Sequence, residues 1–426
     1  MNQTPRGQRL HIALFGRRNA GKSSLINALA GQEVAIVADV PGTTTDPVAK
    51  AMEILPLGPV LLIDTAGLDD TGELGRLRVQ KSVEVLRKTD LVLLVIDPAR
   101  GVGTHELGVV ARAEAQGVPV LGVVNKIDRH PEAESWTWSA ALPVPWTLAS
   151  ALTGRGMEQL KLEIIRHAPR DWNLPTIVGD LVAAGDTVVL VIPIDKAAPK
   201  GRLILPQQQV IRDVLDHDGV AVMVKERELR HVLNRMTVRP KLVVTDASAY
   251  LCAIADTPPE VLFTSFSILF ARYKGDLATL AAGAAAVQRL QPGDRILVAE
   301  ACTHHPVADD IGRVKIPRWL RREVGGELHF DVVAGGGPLP ANLPDYKLII
   351  HCGACMLNRR EMLSRIMQAR EADVPVVNYG ILLAHLHGVL RRALSAFPEA
   401  LAVLEREPEA HDADLIPRRL PARVRE

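Results

Sequence analysis

Gly16-Arg17-Arg18-Asn19-Ala20-Gly21-Lys22-Ser23 follows the apolar run Ile12-Ala13-Leu14-Phe15 and precedes a helical pattern. A Gly-x4-Gly-Lys-Ser string between a strand and a helix is a phosphate-binding loop. The backbone N–H groups of the turn cradle phosphates, the lysine reaches them as a cation, and the serine hydroxyl ligates magnesium. Gly16, Gly21, Lys22, Ser23 and the adjoining Ser24 therefore form the first set of nucleotide-binding residues, and the chain is read as binding a nucleoside triphosphate with Mg2+. Strand-like and helical stretches alternate from here to about residue 170, ending in a helix that begins near Gly156 and stops before Pro169. That alternation predicts α/β architecture with a largely parallel sheet.

A second motif selects the base. Asn125-Lys126-Ile127-Asp128 follows the apolar run Val120-Leu121-Gly122-Val123-Val124, which places it at a strand's carboxyl end, where open α/β sheets bind ligands. A carboxylate at Asp128 accepts from both the ring N–H and the exocyclic amine of guanine, whereas adenine would leave it unpaired. Asn125 is expected to tie this loop to the phosphate loop, Lys126 to lie along the base, and Ser150-Ala151-Leu152 to offer the Ala151 N–H to the base oxygen. Together these motifs resemble the Ras-like P-loop GTPases.

Asp64-Thr65-Ala66-Gly67 ends the run Val60-Leu61-Leu62-Ile63, and Thr44 lies in Pro41-Gly42-Thr43-Thr44-Thr45-Asp46. Ser23, Thr44 and Asp64 are the expected magnesium set, Asp64 acting through water, and Lys22, Thr44, Asp64 and Gly67 the catalytic set. Leu68 stands where Ras-like proteins place a water-orienting glutamine, so intrinsic hydrolysis is expected to be slow. Asn19 resembles the loop asparagine of the tRNA-modifying GTPase MnmE and its relatives, which implies K+ in the place of an arginine finger and potassium stimulation.

Length and composition frame the rest. A chain of 426 residues suggests two to three domains, and 47% apolar with 23% charged residues describes a globular chain with ample core. A formal net charge of +1 argues against a broad basic surface for nucleic acid. No run approaches 18 consecutive apolar residues, and the N-terminus lacks a signal-peptide pattern, so a cytoplasmic protein without membrane partners is expected. Four cysteines are too few to staple a chain of this size and point to metal or redox use.

After residue 170, Pro175 and Gly179 mark a linker. Thr187 to Ile194, Val220 to Val224, Lys241 to Thr245 and Val261 to Thr264 then read as short buried strands of a second α/β unit. A third follows a long Ala-rich helix over Leu277 to Leu290, with strands at Arg295 to Ala299, Lys347 to Ile350 and Val374 to Asn378. In that unit Cys302-Thr303-His304-His305 and His351-Cys352-Gly353-Ala354-Cys355 each follow a strand, so the two clusters should converge at one sheet edge. Three soft thiolates with flanking histidines suit zinc or an iron-sulfur cluster, and the spacing alone fits both. Cys252, outside the motif, reads as a small buried apolar side chain, and the basic run Arg313, Lys315, Arg318, Arg321 and Arg322 as an ordinary solvated face.

The string Cys-x-His, 46 residues (305–350), then His-Cys-x-x-Cys, behind a GTPase domain, resembles the HydF family, the maturation GTPases of FeFe-hydrogenases. So do Gly185 to Leu190, Ala198 to Gln207 and Thr264 to Arg272, and the likeness covers essentially the whole chain. It implies a GTPase domain (1–170), a dimerisation domain (175–265) and an iron-sulfur cluster-binding domain (266–426). It further implies a homodimeric carrier that holds a 4Fe-4S cluster, receives a di-iron precursor from radical S-adenosylmethionine maturases and passes it to apo FeFe-hydrogenase. Cys302, Cys352 and Cys355 carry over as cluster ligands, with His304, His351 or Glu399 as the fourth ligand or the histidines as its hydrogen-bonding neighbours. A zinc-stabilised GTPase switch and an MnmE-like RNA-modification GTPase are the alternatives.

Overall fold

The computed structural model describes residues 4–31, 49–65, 83–136, 138–169, 176–193, 203–301, 310–335 and 339–406. Thr44, Gly67, Leu68, Cys302, His304 and Pro175 lie outside them.

Among the described residues the chain builds three sheets. The first has six strands in the order β2-β3-β1-β4-β5-β6: β1 (Leu10–Phe15), β2 (Ala49–Ile54), β3 (Gly58–Asp64), β4 (Leu91–Ile96), β5 (Val120–Val124) and β6 (Trp146–Leu148). All its pairings are parallel except β2 with β3. Every residue of β1, β4 and β5 is buried, because helices cover both faces and leave no side for polar alternation. Separate apolar clusters fill the two faces, one around Leu14, Leu93 and Leu160 and the other around Phe15, Leu94 and Val110.

The second sheet, in the order β10-β9-β7-β8, joins β7 (Thr187–Val191), β8 (Val220–Val224), β9 (Leu242–Thr245) and β10 (Leu262–Ser265). The third, in the order β12-β11-β13-β14, joins β11 (Arg295–Glu300), β12 (His329–Ala334), β13 (Leu348–His351) and β14 (Val376–Asn378). Both are parallel throughout. The α/β class with parallel sheets read from the sequence is the observed one. One continuous core, running from Ile177 through Phe266 and Leu269 to Ala400, is shared by these two sheets.

Three sequence readings change. Val220 to Val224 forms an edge strand, with Val220 48% and Met223 55% exposed, because apolar content does not tell a central strand from an edge. The Ala-rich helix breaks into an α-helix at Leu277–Ala282 and a tighter 3-10 segment at Gly283–Arg289. The chain passes so close to β14 there that a Cβ on Gly283 would lie 2.0 Å from the Val376 carbonyl oxygen. Cys252 is exposed on the helix Tyr250–Asp256, whose buried side is carried by Tyr250 and Ala253.

The first domain packs on the third through β1. His11 is buried, its Nε2 lying 2.9 Å from Arg6 O and its Nδ1 3.1 Å from Asn358 Nδ2. Asn358 Nδ2 also donates to Lys88 O at 2.9 Å, and its Oδ1 accepts from Glu361 N, capping the helix Arg359–Glu371. His11 Nδ1 also lies 3.0 Å from Lys88 O. Burial lowers the His11 pKa to about 4, the Lys88 and Arg6 charges adding to the effect and the bonds to Arg6 O and Lys88 O opposing it.

Below the unfolded value of 6.5 the unfolded chain takes a proton that the folded chain refuses, so His11 costs stability as pH falls from 6.5 to about 4 and not above it. Urea unfolding at pH 7 and pH 4.5 should therefore show His11→Gln to be less acid-sensitive than the parent by roughly 2 kcal/mol. Equal acid sensitivity of the two proteins would contradict the buried neutral imidazole.

Candidate functional site

The phosphate loop leaves β1 at Gly16, with φ of +149°, where a Cβ would lie 2.4 Å from the Val95 carbonyl oxygen on the neighbouring strand. Gly21, with φ of +95°, passes the Asn125 amide so closely that a Cβ would sit 2.2 Å from Nδ2. Both positions require glycine for conformation and for space. Asn19 between them adopts φ of +64°. Lys22 opens the helix Lys22–Gly31, and its Nζ folds back to donate to Gly16 O and Arg17 O, each at 3.0 Å. Its ammonium is thereby poised over the mouth of the loop.

Ser23 and Ser24 are exposed at the start of that helix. Ser23 Oγ donates to Asp64 Oδ2 at the end of β3, while Asp64 Oδ1 is buried with no hydrogen-bond partner among the described residues. A hydroxyl and a carboxylate oxygen left without a donor make a hard-oxygen pair suited to magnesium. Thr65 fixes the turn after Asp64, its Oγ1 donating to Leu14 O at 2.6 Å.

The base-reading loop is locked to the phosphate loop. Asn125 is buried after β5, and its Nδ2 donates to Ala20 O at 3.0 Å. The Ala151 N–H, read as a donor to the base, instead donates to Asn125 Oδ1 at 3.1 Å, since a part-buried amide pairs with the nearest acceptor. Asp128 Oδ1 accepts from Ser150 Oγ at 2.5 Å, and Ser150 Oγ accepts from Thr153 N at 3.1 Å, so Ser150 orients the carboxylate. Lys126, with φ of +66°, donates from Nζ to Asn19 O at 2.6 Å and to Asp97 Oδ2 at 2.7 Å.

Two residues of this region carried no sequence signal. Asp97, just after β4, anchors Lys126; burial raises its carboxyl, but the hydrogen bond and charge of Lys126 outweigh that and hold it below the usual range. Glu106, on the helix Thr104–Ala115, is buried and grips the Arg17 guanidinium at 2.8 Å, drawing that side chain to one side of the loop.

The cysteine cluster lies in the third sheet. Cys352 follows β13 directly, its N–H donating to Ala299 O at 3.0 Å, and its Sγ accepts from the N–H of Ala301 at 3.0 Å. Ala301 is the residue before Cys302, so the carboxyl ends of β11 and β13 bring the two halves of the motif to one edge. Cys352 is buried and Cys355 half-buried, with Ala354 at φ of +52° turning the chain between them. Among the described residues no group of three or more His, Cys, Asp or Glu side chains forms a metal-holding arrangement. Glu399 is exposed on the helix Pro398–Arg406.

Both ring nitrogens of His351 are engaged. Nδ1 lies 2.9 Å from Cys352 O, and Nε2 lies 2.9 Å from the Arg365 guanidinium, which also donates to Gly335 O at 2.7 Å. Burial, reinforced by Arg365 and opposed by the bond to Cys352 O, brings the His351 pKa to about 4. Lys274, buried at the end of the helix Phe266–Lys274, donates to Ala354 O, Cys355 O and Leu357 O at 3.0, 3.1 and 2.8 Å. Burial lowers its pKa to about 8, against the pull of Cys355, Cys352 and Glu361. The basic run lies at the surface, as read, with Arg313, Arg318 and Arg322 exposed, Arg313 pairing with Glu300 at 2.7 Å and Arg321 with the exposed Glu327 at 2.9 Å.

Comparison with known families accounts for all three sheets. Residues 177–275 match the hydrogen maturase F dimerization domain and residues 278–396 the hydrogen maturase F tetramerization domain, together just over half of the chain. The chain belongs to the hydrogen maturase F family. Residues 11–126 match the 50S ribosome-binding GTPase family, so the hydrogen maturase F domains follow a GTPase domain, and two oligomerisation domains make this an oligomerising chain. MnmE, the tRNA modification GTPase, is 39% identical over 163 residues in Nitrosomonas europaea, covering 37% of this chain and 35% of that protein. The Symbiobacterium thermophilum MnmE is 40% identical over 161 residues, covering 37% and 35%. The chain thus spans about a third of the length of these relatives, and the likeness is at the level of the GTPase domain. The G domain of the T. maritima FeoB iron transporter is 26% identical with a TM-score of 0.30, covering 37% of this chain and 98% of that one. No helix among the described residues is long and apolar enough to cross a membrane.

Gly21→Ala should collide with Asn125 and strain the loop, weakening guanine-nucleotide binding by at least about tenfold, equivalent to 1.4 kcal/mol. A fluorescent-nucleotide titration checks this, and unchanged affinity would contradict the tight crossing of the two loops.

Proposed function

We propose that this chain is a GTP-hydrolysing carrier that holds a 4Fe-4S cluster on Cys302, Cys352 and Cys355 and delivers a di-iron precursor to apo FeFe-hydrogenase. The observation that carries the reading is the meeting of Cys352, three residues before Cys355 at the carboxyl end of β13, with Ala301, the residue before Cys302, in a chain of the hydrogen maturase F family. The donor set suits the group: two soft thiols three residues apart, a backbone N–H on one sulfur, and buried cations beneath the loop. The cluster would supply a metal site on which cargo can be carried. His351, engaged at both nitrogens, is read as a hydrogen-bonding neighbour, and His304 and Glu399 stay as fourth-ligand candidates.

At the nucleotide site Lys22 would neutralise phosphate charge, and Ser23, Thr44 and Asp64 would hold magnesium. Asp128, oriented by Ser150, would read guanine, and Lys126, fixed by Asp97, would lie along the base. Asn19 would hold K+, and the apolar Leu68 would leave the attacking water unoriented by a side chain, so hydrolysis would be slow without that ion. GTP binding would rearrange the loops around Thr44 and Leu68 and so change how the third domain or a partner docks. The radical S-adenosylmethionine maturases would load the carrier and apo-hydrogenase would unload it, with a homodimer as the working form.

Carrier isolated from cells that also make the maturases should activate purified apo-hydrogenase, read as hydrogen evolution. Cys352→Ala should retain GTPase activity within about twofold and lose activation, because the two sites lie in different domains; full activation by this variant would overturn the reading. Replacing sodium by potassium should accelerate GTP hydrolysis on the order of tenfold in the parent and leave Asn19→Ala unchanged, as expected when one ion supplies transition-state charge. Equal rates in both salts for the parent would remove the potassium site.

A further inference from the structure

We propose that Lys274 is the positioning residue and fixed counter-charge of the cysteine loop, holding Cys352 to Leu357 in shape and raising the reduction potential of the group bound there. This rests on the cluster reading above.

The geometry is specific. Lys274 is 2% exposed, and its ammonium hydrogen bonds go to the carbonyls of Ala354, Cys355 and Leu357, within the loop that carries Cys355. Burying an ammonium among neutral carbonyls is expensive, because they return only part of its hydration. Three carbonyls converge on its three N–H donors, a demand that a neutral amide with two N–H donors does not meet. Arg365, equally buried, lies under the same loop against His351, and Glu361 feels both cations as well as Lys88 and Arg6. Two buried cations thus lie beneath the cysteine loop, an arrangement that favours an anion above them. An iron-sulfur core held by three thiolates is such an anion, and one-electron reduction adds to its charge.

Lys274 is also held in place from the other side. Arg359, the first residue of the helix that follows the loop, donates to Arg272 O at 3.3 Å and Tyr273 O at 2.7 Å, closing off the carbonyl end of the helix that carries Lys274. Each segment therefore clasps the other's backbone, and Lys274 is not free to swing to solvent. Gly7 presses on the same point, since a Cβ there would lie 2.4 Å from Leu357 O and 3.1 Å from the Lys274 ammonium. Lys274 belongs to the stretch matched by the dimerization domain, whereas the cysteines belong to the next one, so the lysine joins the two modules at the loop.

The test compares Lys274→Gln, which keeps two N–H donors and removes the charge, with Lys274→Arg, which keeps the charge. Full-length proteins are reconstituted without oxygen from ferrous iron and sulfide, then titrated with dithionite while the reduced cluster is followed by electron paramagnetic resonance; GTP hydrolysis reports an intact fold. The glutamine variant should require a more negative potential, with its reduced-to-oxidised ratio at fixed potential falling at least tenfold, about 59 mV for one electron. The arginine variant should stay within a third of that shift. An unshifted glutamine variant, or equal shifts in both variants, would overturn the proposal by leaving only a structural role. Should the glutamine variant take up no iron, uptake by the arginine variant at the parent's potential supports the counter-charge, and loss in both overturns it. A parent protein that takes up no iron fails the cluster reading itself, a result distinct from a loaded parent with an unshifted glutamine variant.

Discussion

The buried ammonium of Lys274 and the three carbonyls it holds are the contact on which the layout of the molecule turns. The cysteine loop is a short crossing between β13 and the helix Arg359–Glu371, with Ala354 in a left-handed conformation and one turn closed internally by Leu357 N–H on Ala354 O at 3.1 Å. Its other ties come from outside. Lys274 pins its carbonyls, Ala301 N–H bonds the Cys352 sulfur, and Asn358 ties its far end to His11 and the Lys88 carbonyl of the GTPase domain. Arg360, two residues further on, reaches Gln116 O of the same domain at 2.6 Å. The loop proposed to hold metal is thus braced by all three domains.

Parallel sheets explain why the chemistry falls where it does. In the third sheet, and in the first apart from β2, the strands point the same way, so the chain must turn at their carboxyl ends, and the motifs sit on such turns. At the nucleotide site the turns are cross-linked by Asn125 to Ala20, Lys126 to Asn19 and Asp97, and Ser23 to Asp64. Close approach is bought with glycine at Gly16 and Gly21, where a methyl group would collide with the Val95 carbonyl and the Asn125 side-chain amide respectively. At the cysteine site the same principle brings residues 301 and 352 together although 50 residues separate them in the chain.

Much of this was legible in the sequence, and the exceptions have physical causes. Leu91–Ile96 and Val120–Val124 announce themselves because strands buried on both faces are continuous apolar runs. His329–Ala334 does not, since this edge strand mixes exposed and half-buried positions and reads as a loop. Val220–Val224 misled in the opposite sense, its apolar residues facing solvent at a sheet edge. Gly283 gave no warning that it would lie against Val376, because the approach depends on the packing of a strand far along the chain. The nucleotide and cysteine motifs were visible as spacing, whereas Asp97, Glu106, Lys274 and Arg365 were not. Each acts on a partner 14 to 89 residues away, through a contact that only the folded chain creates.

The account stands on the metal that the cysteine loop holds. Iron, acid-labile sulfide and zinc should be measured in protein isolated without oxygen. Close to four iron and four sulfide per chain, as a cubane cluster requires, is the predicted result. Stoichiometric zinc without sulfide would contradict it, making the third domain a structural zinc module and separating the GTPase from any cluster cargo.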